Sequence, residues 1–197
     1  MVKLFTNKEL AARLGINPAR WKRWSREFLP PDPLAGRQSG YARQYYLNDA
    51  FAVFLGGHLV SSLRMAVPEA RKVLRDLKDW LKENGYRFDP AGGRYGMSPD
   101  APAAARHTIT AYQTGAGGFV YWVKGAFLTE FDTVDGWPVV RETFTEKWIT
   151  PRGEGAPELE SPKTIPVSLI LEKFLKLIQN NHQRLTRKRG TEVEELF

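Results

Sequence analysis

A helix stop and a helix start fall three residues apart near the beginning of the chain, and this limits the fold more than anything else in the sequence. Thr6 and Glu9 have the spacing of a capping box, in which hydroxyl and carboxylate each satisfy an exposed backbone N–H. The helix they open puts Leu10, Ala11 and Leu14 on one face, and Gly15 follows where a left-handed cap belongs. Asn17-Pro18 then reads as an N-cap followed by a proline at the first helical position. So short a connection leaves the two helices no choice but to pack on each other across a tight turn.

The second helix divides its residues sharply. Trp21, Trp24 and Phe28 recur at three and four residues and share one face, while Arg20, Lys22, Arg23 and Arg26 take the others. At that spacing the tryptophans read as core rather than as rings that stack on bases. Pro30, Pro31 and Pro33 end the helix. A loop of small and basic residues from Leu34 to Gly40, with Arg37 in it, returns through a short extended segment, Tyr41 to Tyr46. Asn48 or Asp49 can cap a third helix over about 49–64, and Pro68-Glu69 opens a fourth with Ala70, Val73, Leu74, Leu77, Trp80 and Leu81 as its apolar stripe.

From 86 to 106 the sequence is punctuated by Pro90, Gly92, Gly93, Gly96, Pro99 and Pro102, which predicts a linker. Threonines and apolar residues then alternate from His107 to Tyr112, Phe119–Val123 is aromatic and β-branched, and Val139–Ile149 alternates again. Three or four antiparallel strands follow from this pattern, with a buried helix over 119–131 as the alternative. Pro151–Pro166 reads as a second loop, residues 167–183 as an amphipathic helix with Val167, Leu171, Phe174 and Ile178 on its stripe, and 184–197 as a charged, disordered tail. The fold class expected is α+β: a mainly helical unit over 1–85, a linker over 86–106, and a small antiparallel sheet with an amphipathic helix over 107–183.

Residues Lys8 to Trp24 resemble the helix-turn-helix of the MerR-type winged helix-turn-helix family, and Gly40-Tyr41 with Arg43, Tyr45 and Asp49 resemble its wing and third-helix entry. The similarity covers roughly residues 4–82. It implies a winged helix-turn-helix that binds double-stranded DNA and controls transcription. By position it implies base-facing roles for Arg20 and Lys22, and contacts of Arg43 and Tyr45 with the phosphate backbone. Members that dimerise continue into a long antiparallel helix, whereas here Gly85 and a Pro/Gly-rich stretch come after Leu81.

The charge distribution agrees with a polyanionic partner. Residues 1–45 hold nine Lys/Arg against three Asp/Glu, so +6 of the net +7 lies in the first quarter of the chain. The candidate DNA-binding residues are Arg20, Lys22, Arg23, Arg26, Arg37, Tyr41, Arg43 and Tyr45. Arg187-Lys188-Arg189 reads as solvated tail.

Other chemistries find little support. With no cysteine there is no disulfide, thiolate nucleophile or Cys-ligated metal. Only His58, His107 and His182 remain as imidazoles, so no metal or other cofactor is expected. Gly115–Gly118 lacks the Lys-Ser/Thr of a phosphate loop and reads as a hairpin turn. Glu130, Asp132 and Asp135 match no metal or acid–base spacing.

An enzyme built on 107–180 has no residue constellation behind it, so no catalytic role is assigned. The expectation is a cytoplasmic, nucleoid-associated, sequence-specific DNA-binding protein that regulates transcription. An architectural or accessory DNA-binding protein (excisionase-like, or a replication or segregation factor) is the alternative. A homodimer, and a small-molecule or protein effector at 107–183, are left open as partners. No apolar run reaches the ~18 residues of a membrane span, and the N-terminus lacks the apolar stretch of a secretory signal.

Overall fold

A computed structural model describes residues 4–32, 42–88, 106–115, 117–134, 137–150 and 159–179. Among these the protein is a mixture of helix and sheet, with six helices and two antiparallel sheets. Strand β1 (Phe5–Thr6) leads into α1 (Asn7–Leu14), a turn, and α2 (Pro18–Phe28). Strand β2 (Gln44–Tyr45) pairs antiparallel with β1, Phe5 opposite Tyr45 and Thr6 opposite Gln44. Next come α3 (Leu47–Ser61), α4 (Val67–Asp76) and α5 (Lys78–Glu83).

The helix ends obey local chemistry. Thr6 Oγ1 accepts from Glu9 N at 3.3 Å and Glu9 accepts from Thr6 N at 2.8 Å, closing the capping box. Gly15 takes φ 64°, the left-handed conformation that any Cβ would strain. Asn17 Oδ1 accepts from Ala19 N at 2.9 Å and from Arg20 N at 3.3 Å. Glu69 caps α4 by accepting from Ala66 N at 2.8 Å.

The predicted fourth helix is two helices. Leu77 sits between them at φ −88°, ψ −1°, off the helical well, with its N–H still directed at Val73 O.

The larger sheet has the order β5-β4-β3-β6, made by β3 (Arg106–Thr114), β4 (Phe119–Val134), β5 (Trp137–Ile149) and β6 (Leu159–Ile165). Residues 119–131 are therefore strand throughout, and the helical alternative is excluded. Gly115, Gly117 and Gly118 lie between β3 and β4, with Gly117 at φ 75° and Thr114 Oγ1 accepting from Gly118 N at 3.0 Å. Strand β6 occupies the end of the stretch predicted to be a loop. It escaped the pattern because it carries Pro162 and a left-handed Ser161 (φ 41°), features tolerated at an edge strand. Among the described residues the pairing of β3 with β4 starts at Arg106–Ala126, and β4 from Phe127 onward pairs with β5.

A last helix, α6, spans 167–179 and buries Val167, Ile170, Leu171 and Phe174. It packs on the N-terminal helices: the Phe174 ring lies 5.4 Å from Phe51 and 5.5 Å from Phe54, centre to centre. The inner sheet face adds Ile109, Tyr121, Val123 and Ile165 to the same hydrophobic core, and Tyr121 donates to Asp76 Oδ2 at 2.8 Å. Tyr86 and Phe88, at the start of the predicted linker, are also buried in it. The Asn48 amide holds Phe88 by both backbone groups, donating to its carbonyl and accepting from its N–H. That engages the Asn48 side chain elsewhere, and it is Asp49 that accepts from Tyr46 N at the start of α3. No described helix is long and apolar enough to cross a membrane.

Candidate nucleic-acid interface

Helix α2 presents two opposite surfaces. On the inner one Trp21 is 0% exposed and Trp24 and Ser25 are buried, with Phe28 half-buried beside them. Two glycines of α3 make this seat unusually close. A Cβ added at Gly56 would lie 2.7 Å from the Phe28 ring, and one at Gly57 would lie 2.8 Å from Trp24 Cδ2 and nearer still to Cε3 and Cζ3. The two rings therefore rest directly on the α3 backbone and set the height of α2.

On the outer surface Arg20, Lys22, Arg23 and Arg26 are all exposed. None of them takes part in an ion pair among the described residues. At about 100° per residue, Arg23 and Arg26 point roughly 150° from the centre of the buried face, while Arg20 and Lys22 flank it at roughly 90–110°. The outward ridge is thus Arg23–Arg26, with one further cation on either side.

The single carboxylate of α2 is neutralised from outside. Arg71 of α4 pairs with the Glu27 carboxylate and donates through Nε to Glu27 O at 2.7 Å. That clamp fixes the end of α2 and leaves its outer surface uniformly cationic. Sequence offered no hint of it, because the partners lie 44 residues apart. The Gly56-Gly57 pair inside an apolar helix is the sequence signal of this close backbone approach.

The return strand is built differently from expectation at one residue. Tyr45 is 0% exposed: its hydroxyl donates to Asn7 Oδ1 at 2.5 Å and lies 3.0 Å from Ser25 Oγ. Burial raises its pKa above the ordinary tyrosine value. Its ring meets Trp21 edge-on, with centroids 6.0 Å apart. A side chain so enclosed does not face a phosphate; it ties α1, α2 and β2 together. Arg43 is half-buried, donates through Nη2 to Pro30 O at 3.0 Å, and lies over the Tyr45 ring. Arg37 and Tyr41 fall outside the described residues, as do Asp135, His182 and Arg187–Arg189.

Arg13, which had no assigned role, is buried. It donates through Nη1 to Ile178 O at 2.9 Å, joining α1 to α6. His58 and His107 are half-buried, and burial lowers the pKa of each, with Lys173 adding to the effect at His58. Among the described residues no three His, Asp or Glu side chains cluster as metal ligands would. Neither a family model, nor a curated protein, nor a solved structure matches the chain.

Proposed function

We propose that this chain is a winged helix-turn-helix protein that binds double-stranded DNA sequence-specifically and regulates transcription. The observation that carries the reading is the outward cationic surface of α2, without an ion pair among the described residues and held by a tryptophan underside on α3. In this arrangement α1 and α2 form the helix-turn-helix, α2 enters the major groove, and the segment between Pro30 and Gln44 serves as the wing on the neighbouring backbone. Arg20 and Lys22 read base edges, while Arg23 and Arg26 neutralise phosphates. Arg43 anchors the wing to the exit of α2 through Pro30.

Selection of bound duplexes from a random pool, followed by affinity measurements across a salt series, tests this. The Arg20→Ala/Lys22→Ala double variant is expected to change the selected sequence. Arg23→Ala/Arg26→Ala is expected to weaken all sequences alike and to flatten the log–log salt slope by up to about 1.8, at roughly 0.9 per phosphate contact. Unchanged sequence preference and affinity in the first variant refute the docking.

A second reading, an architectural or accessory DNA-binding role, is favoured by the helices that follow. Helices α4 and α5 have 10 and 6 residues, and the chain then turns into the core at Tyr86 and Phe88 rather than extending into a long dimerisation helix. Footprints with two symmetric half-sites favour the regulator, and asymmetric or spreading footprints the accessory role.

A further inference from the structure

Beside the exit of α2 a groove of about 540 Å³ opens between that exit, α3 and the α4–α5 pair. Its volume falls within the ~300–1,000 Å³ of small-molecule sites. The floor is hydrocarbon: Phe51, Leu55, Leu74 and Leu81. Four cations line it, Arg71, Arg75, Lys78 and Arg87, against two carboxylates, Glu27 and Asp49. Both carboxylates are already engaged, Glu27 by Arg71 and Asp49 by Tyr46 N. Arg75 lies 4.0 Å from Asp76. Lys78 and Arg87 form no ion pair among the described residues.

An apolar floor beneath uncompensated positive charge defines what fits. A purely apolar guest leaves the cations without a counter-charge, and a bare inorganic anion leaves the hydrocarbon floor uncovered. We propose that this groove binds an amphipathic monoanion, a carboxylate on an alkyl or arylalkyl body, with the carboxylate at Lys78 and Arg87 and the body on the Phe51–Leu81 floor.

The groove wall also includes Phe28, Leu29 and Pro30. Phe28 is the ring seated on Gly56, and Pro30 is the residue that Arg43 grips. A guest pressing on this wall acts on two of the three fixings of the exit of α2, so its binding alters the presentation of the helix. This regulatory half rests on the DNA-binding reading above; the binding half does not.

The test titrates the full chain calorimetrically with octanoate and 4-phenylbutyrate, and with their uncharged amides. The expected result is saturable one-to-one binding of at least one acid, with its amide at least tenfold weaker. Lys78→Gln/Arg87→Gln, which changes an exposed lysine and a half-buried arginine to polar residues, should raise the Kd of that acid about tenfold with the chain still folded by its unfolding transition. The proposal is overturned if neither acid saturates, if acid and amide bind equally, or if the double variant keeps the original affinity. In a parallel measurement the bound acid should shift the Kd for selected DNA at least threefold in the original chain and not in the double variant. An unshifted DNA Kd with the acid bound overturns the regulatory half. Failure to bind any DNA, with acid binding intact, overturns the functional reading while the groove stands.

Discussion

Replacing Gly57 by alanine tests the seat of α2 by the sign of its effect. In an ordinary helix interior the change stabilises, by about 1 kcal/mol, because glycine has more backbone freedom to lose. Here the new methyl would stand 2.8 Å from Trp24 Cδ2 and closer to two other ring carbons. Carbon atoms rest at about 3.5 Å, so the indole would have to retreat by more than about 0.7 Å. Trp24 is buried, so a retreat of its ring displaces the packing that seats α2. Overpacking of this kind costs about 1–3 kcal/mol, leaving a net loss of up to about 2 kcal/mol after the helix gain. At roughly 2–4 °C per kcal/mol for a chain of this size, Tm should fall by up to about 8 °C. Gly56→Ala should cost less, because Phe28 is only half-buried and can swing. Urea unfolding followed by tryptophan fluorescence supplies both numbers. Should Gly57→Ala instead raise stability by about 1 kcal/mol, the close seat of α2 on α3 does not exist in solution. With it would go the account of how the cationic surface is held outward.

Two further outcomes can be stated. The Tyr45→Phe variant should lose about 1 kcal/mol of stability through its Asn7 and Ser25 contacts, yet keep its DNA affinity and salt slope; a large loss of DNA affinity at unchanged stability would mean that Tyr45 meets phosphate after all. The chain should also lose stability on mild acidification. Burial holds His107 and His58 below the usual value near 6.5, so the unfolded chain binds protons first and the stability present above that value drains away as pH falls. His107 also stands in a ring of polar contacts: His107 N donates to Ser168 Oγ at 2.8 Å, Ser168 lies 2.6 Å from the Tyr86 hydroxyl, and Tyr86 lies 2.9 Å from His107 Nδ1. His107→Gln should lose less of its urea midpoint between about pH 7.5 and 5.5 than the original chain; an identical loss would remove His107 from the account.

What could be read in advance divides along physical lines. Caps are local, so Thr6–Glu9, Gly15 and Asn17 were legible and their hydrogen bonds are present. The inner stripe of α2 was legible for the same reason, since a 3.6-residue period needs no knowledge of the partner. Strand β6 was not: Leu159 and Ile165 are its only large aliphatic residues, and its place at the sheet edge is set by pairing with β3 rather than by its own composition. The burial of Tyr45, the Arg71–Glu27 clamp and the Arg13–Ile178 bond each depend on parts of the chain distant in sequence, which no local window contains. At the candidate interface the cations on α2 could be named from the sequence. What holds that helix in place could not.

The Arg13 bond to Ile178 joins residues 165 apart. During synthesis α1 emerges from the ribosome long before the helix that accepts its guanidinium exists. Until then Phe51 and Phe54 lack the ring of Phe174 that covers them. Closing so long a loop is slow relative to local helix formation, so the docking of α6 on α1 and α3 comes late in folding. Cutting the chain after Phe88 would leave the helices with an apolar surface facing water where α6 had been, and such a fragment should self-associate rather than act as a miniature of the whole.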